Sequence, residues 1–185
     1  MATGTSSRTI RAPGSLIVNP TDLSSAFPFG GVEVGKTKAC VLQSFVTPQR
    51  IDSEGLGDTA DILEGPQIWV FSCFLRGWDD DALQTFFSKQ YALGTGSSHG
   101  VIQIPGNVTP GESALSRGIV VLYVPDNLVA APAVLIHKGI PDWSDGAEMA
   151  WQRQEELGIP LAIECVRSSS NRILTIGRIP DLVIS

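Results

Sequence analysis

Charge is scarce in this 185-residue chain. Asp, Glu, Lys and Arg make up 17% of it, against about 25% in a typical globular domain. With 43% hydrophobic content, wholesale disorder is excluded, because disordered chains are poor in apolar residues. Positive charge is scarcer still: 13 Lys and Arg face 19 Asp and Glu, for a net charge of −6. Such a chain does not hold nucleic-acid phosphates by bulk charge. His99 and His137 are the two histidines. They share no ligand spacing and no order with Ser, Asp or Cys that suggests a nucleophilic triad. No CxxC pair exists, which removes zinc-ribbon and thioredoxin-like chemistry. No apolar run approaches the roughly 18 residues of a membrane span, yet the mean hydropathy is +0.14. An apolar chain without such a span is expected to bury surface against other subunits.

What is present is β signal between dense Gly and Pro punctuation. Leu16-Ile17-Val18 is short and stops at Asn19-Pro20. The 32–46 run carries Val32, Val34, Cys40, Leu42 and Val46 on even positions, and 68–75 is almost continuously apolar. Val101–Ile104, Ile119–Val124, Ala133–His137, Leu161–Val166 and Ile173–Ile176 complete the set. Short strands between turn signals predict a mainly β fold, a sandwich or a barrel. One flanking helix is expected over about 79–91, where Leu83, Phe86, Phe87 and Tyr91 form an apolar stripe. Asp79 suits its N-cap, and Asp80 and Asp81 suit the first turn, which explains the acidic triplet without a metal. Residues 146–158 read as helix or hairpin, with the hairpin preferred. Cys40, Cys73 and Cys165 each lie in a strand-like run and read as buried free thiols of an intracellular protein or an assembly made inside a cell. Residues 1–13 lack the apolar core of a secretory signal and read as a flexible arm. No linker or repeat divides residues 1–185, so one domain is expected.

The sharpest motif match is Gly30 to Thr37, GGVEVGKT, which fits GxxxxGK[ST]. A phosphate-binding loop needs a strand before it and a helix after it. Here Pro28 spoils the preceding run and the following run is strand-like, so the residues read as a Gly-Gly turn leading into a long strand. A nucleotide hydrolase rests on that match alone. Gly94 to Gly100 is Gly-rich but follows the expected helix instead of opening one, so it reads as a connector. Asp52, Glu54, Asp58, Asp61 and Glu64 add five negative charges with no basic residue between them. With Gly55, Gly57 and Gly65 among them, about 47–66 reads as a long loop or hairpin between strands. Long loops on β scaffolds often carry function.

Across most of its length the chain resembles phage tail tube proteins and related tail structural proteins. The likeness is carried by RAPGSLIVNP at 11–20, FGGVEVG at 29–35, LRGWDDDAL at 75–83, RQEELGIP at 153–160 and IGR at 176–178. The resemblance implies hexameric rings stacked into a hollow tube that conducts DNA during ejection, in a virion assembled in the host cytoplasm. Sheath, baseplate and terminator proteins would be partners, with no membrane and no sequence-specific DNA contact. It offers no catalytic residues and implies no cofactor or metal. A tail terminator, baseplate or tube-initiator protein on a similar fold is the alternative. An enzyme or binding module of another class would need a cluster of paired carboxylates or ligands, and none is apparent. If rings stack, the acidic residues Asp52, Glu54, Asp58, Asp61 and Glu64 are expected at the junction. Arg50, Lys36 and Lys38 are their candidate partners.

Overall fold

The computed structural model describes residues 13–46, 49–52, 59–63, 67–78, 86, 118–127, 132–143 and 158–184. Nine strands run through these residues: β1 (Gly14–Val18), β2 (Val32–Val46), β3 (Gln49–Asp52), β4 (Thr59–Leu63), β5 (Gln67–Trp78), β6 (Ile119–Pro125), β7 (Ala133–Trp143), β8 (Ile159–Cys165) and β9 (Leu174–Gly177). Six of them form an antiparallel sheet in the order β6-β1-β2-β5-β8-β7, and a β6–β7 pairing closes it into a barrel. Closure depends on the length of β7. Its residues pair with β6 between Val134 and Gly139, while on its other side Gly139–Trp143 meets β8 and Ala133–Ile136 meets β9.

Alternation along the strands fills the barrel. Val34, Cys40, Phe71, Cys73 and Leu75 from the β2–β5 wall meet Val121, Tyr123, Val134, Ile136, Leu161 and Ile163 inside. Phe71 and Tyr123 pack with ring centroids 5.4 Å apart. A second apolar layer lies outside β1, β6 and β7. Ile17, Leu122, Val124, Ala133 and Leu135 are buried there under Ile179 and Leu182, with Leu23, Phe29 and Ile184 at the margin. Ile179–Asp181 is a single 3-10 turn that carries the C-terminal segment over this layer. Every residue of β1 is buried as a result, which explains why Leu16-Ile17-Val18 shows no polar alternation. Strands covered on both faces read as continuous apolar runs.

Of the loop and hairpin readings of the acidic segment, the strand pairing matches the hairpin. Gln49–Asp52 and Thr59–Leu63 pair antiparallel, with Gln49 opposite Leu63, Arg50 opposite Ile62 and Ile51 opposite Asp61. Thr59, Ile51 and Ile62 favour extended backbone despite the surrounding glycines and acids. The pair is a separate two-stranded sheet that follows directly on the Val46–Gln67 end of the β2–β5 ladder. Of the expected helix over 79–91, Phe86 alone lies among the described residues. It is helical and buried in the barrel core. The arm expected over 1–13, except Pro13, the strand at 101–104 and the ambiguous 146–158 segment, except Gly158, lie outside the described residues.

Candidate functional site

Residues 19–37 begin with a turn and end in a strand. The Phe29 carbonyl accepts backbone N–H bonds from Thr21 at 3.0 Å and Asp22 at 3.1 Å. Gly30 turns the chain at φ +69, a conformation glycine adopts without steric cost. Strand β2 begins at Val32, so Gly35-Lys36-Thr37 is extended and no helix follows it. Thr37 is buried and its Oγ1 donates to the Gly14 carbonyl at 3.1 Å. Lys36 Nζ donates to Ser15 Oγ at 2.6 Å and lies 3.6 Å from both Glu33 and Asp126 carboxylates. The GxxxxGK[ST] match is therefore a turn and a strand whose lysine and threonine are joined to β1 and the end of β6.

Of the expected ring-junction residues, Lys36 and Lys38 lie on β2. Arg50 and Asp52 lie on β3 and Asp61 on β4, within three residues of one another in the ladder. Glu54, Asp58 and Glu64 lie outside the described residues. Lys38 pairs with Phe74 in the barrel wall, and Lys36 pairs with Gly77 further on. Lys36 stands about 30 Å up the strand from Val46 at the usual rise per residue. Its ion pairs among the described residues are with Glu33 and Asp126.

The outer face of the barrel near that hairpin was not singled out by the sequence. Inward Trp69, Phe71, Cys73 and Leu75 alternate with outward Ile68, Val70, Ser72 and Phe74. Across the wall, Phe45 opposes Ile68, Val41 opposes Ser72 and Lys38 opposes Phe74 on β2. On β8, Ala162 opposes Ser72 and Pro160 opposes Phe74. Phe45, Ile68 and Phe74 are 54%, 46% and 41% exposed. The available signal was the 68–75 run itself: apolar residues of both parities require a cover on both faces, and here Phe45, Ile68 and Phe74 on the outer face are exposed.

A shallow groove of about 550 Å³ lies between Thr21–Ser24 and the C-terminal segment at Ile179 and Leu182. Its one carboxylate in the turn is already engaged. Asp22 Oδ1 accepts from the Ser24 backbone N–H at 2.9 Å and from Ser24 Oγ at 2.6 Å. Those bonds hold the Asp22 carboxyl below its ordinary range. Among the described residues, no group of three or more His, Cys, Asp or Glu side chains could hold a metal ion. No helix among them is long and apolar enough to cross a membrane. Comparison with known proteins finds no family model and no curated relative that matches the chain.

Proposed function

We propose that the chain is a structural subunit of a phage tail, its barrels closing into rings that stack as the tube conducting DNA. The observation that carries this reading is the outer β2–β5–β8 face, where Phe45, Ile68 and Phe74 stand exposed around Val41, Val70 and Ala162. Exposed apolar area of this kind marks an interaction surface. The β3–β4 ladder adds support, since a two-stranded ribbon is marginal alone in water and gains stability by docking. Its acidic residues suit the junction between rings, and a net negative charge lets duplex DNA pass without a grip on its phosphates. The flanking helix over 79–91 belongs to this reading, with buried, helical Phe86 as its anchor to the barrel.

Electron microscopy of the purified protein tests the proposal. Rings or tubes are expected, and Phe45→Ser with Ile68→Ser should abolish them while the barrel stays folded. Replacing Asp58, Asp61 and Glu64 with Asn or Gln should permit rings but shorten stacks. A folded protein that sediments as a monomer at high concentration overturns the reading. So does Mg²⁺-dependent ATP hydrolysis that disappears on Lys36→Ala.

A further inference from the structure

Strands β2 and β5 bring two thiols together across a bulge. Lys38 pairs with Phe74 and Val41 pairs with Ser72, so Ala39 and Cys40 share Cys73 as the residue opposite. Ala39 absorbs the extra residue with φ +51 and lies exposed, while Cys40 turns inward. Both cysteines are free, buried and part of the barrel core, so their side chains leave the wall on the same side. Opposed residues of an antiparallel ladder have Cα atoms about 4.5–5.5 Å apart. That falls inside the window of about 4.4–6.8 Å that a disulfide spans.

The two thiols shift each other's pKa, in unequal surroundings. The Cys73 thiol lowers the Cys40 pKa against the effect of burial, with help from the hydroxyl of Tyr123. Cys40 Sγ donates to Thr37 Oγ1 at 3.2 Å while it holds its proton. Cys73 is pushed well above the ordinary thiol range by that same Cys40 contact and by burial. The lower-pKa sulfur of such a pair is the one that reacts as thiolate.

We propose that Cys40 and Cys73 are an oxidisable cross-strand dithiol that closes into an internal disulfide on exposure to a peroxide. The Cys40 thiolate attacks one oxygen of hydrogen peroxide; an S–O bond forms and the O–O bond breaks. The departing hydroxide takes the proton that Cys40 released and becomes water. Cys73 then gives up its proton and attacks Cys40 Sγ; the S–S bond forms and the S–O bond breaks. The second hydroxide takes that proton and leaves as water. Two thiols and one peroxide become one disulfide and two waters, so the two electrons lost by sulfur reduce the peroxide. The bond crosslinks β2 to β5 and closes a loop of chain that contains β3 and β4. Cys165 stands apart, opposite Trp69 and Gly139, with its thiol pushed up to about 12 by burial.

The test is peroxide treatment of the full folded chain, followed by unfolding, alkylation and peptide mapping by mass. The expected product is lighter by about 2 Da, the mass of two hydrogens lost on thiol oxidation. It should carry a Cys40–Cys73 crosslink, leave Cys165 as the alkylated residue and melt at a higher Tm. Cys165→Ser should retain the crosslink, and Cys73→Ser should stop at a Cys40 sulfenic acid that a cyclic diketone traps. Three alkylatable thiols after a treatment that oxidises the unfolded chain overturn the proposal. A crosslink through Cys165 or between chains does so too.

Discussion

His137 on β7 and Thr175 on β9 are joined side chain to side chain, with Nε2 2.8 Å from Oγ1. The backbone seals the same place, where the His137 N–H donates to the Ile173 carbonyl at 3.1 Å. His137 is buried, and burial followed by the charge of Arg172 holds its pKa below the ordinary 6.5. The unfolded chain therefore takes up this proton before the folded one does. Stability is complete above about pH 6.5 and declines as pH falls from there to the folded pKa. Denaturant unfolding between about pH 7 and 5 should show this slope, and His137→Gln should flatten it. An imidazole titration by NMR that centres above 6.5 would contradict the assignment.

Gly14 should not accept a side chain. A Cβ there would collide with the Val124 carbonyl oxygen and come within 2.7 Å of Tyr123 Cε2 and 2.9 Å of Pro125 Cα. Two of those three atoms are backbone of β6, so relief requires β1 and β6 to separate. Gly14→Ala is expected to destabilise by about 1–3 kcal/mol, the usual range for an overpacked contact. Thermal unfolding beside a Gly77→Ala control, where a Cβ meets nothing within 4 Å, measures the difference.

Ala39 offers the opposite case. Its φ of +51 places a Cβ where left-handed backbone disfavours one, at a cost of roughly 1–2 kcal/mol. Ala39→Gly removes that cost and adds some unfolded-state entropy, for a net gain of up to about 1 kcal/mol. A β-branched residue at 39 should lower Tm. Equal Tm values for the Gly and Val variants would contradict the bulge geometry.

Lys36→Ala should have a small effect on folding. Its ion pairs with Glu33 and Asp126 are 3.6 Å long and more than half-exposed at the lysine, and pairs of that kind contribute about 0–1 kcal/mol. The 2.6 Å bond to Ser15 Oγ is the closer contact. Equilibrium unfolding should place the variant within about 1 kcal/mol of the parent chain. A larger loss would mean that the lysine anchors β1 to β2.

The residue pattern by itself determined where most barrel strands lie. Ile119–Val124, Ala133–His137 and Leu161–Val166 are β-branched or apolar runs between turn residues, and each became a strand of the closed sheet. The even-position pattern of 32–46 likewise predicted β2, and with it the failure of the GxxxxGK[ST] match. It determined the fate of the thiols too, since small apolar side chains in such runs are buried. Pairing is a different matter, because it joins residues far apart in the chain. The acidic segment stayed open between loop and hairpin, since its glycines and its β-branched residues argue in opposite directions until β2 and β5 bring its ends together. Apolar parity could not separate the buried Ile17 from the exposed Ile68; the C-terminal turn at Ile179 covers one and leaves the other bare. Nor could spacing place Cys40 opposite Cys73. That contact depends on one extra residue at Ala39, which shifts the register of β2 against β5. Local side-chain chemistry selects extended backbone, whereas register, closure and cover are chosen by the whole set of strands at once.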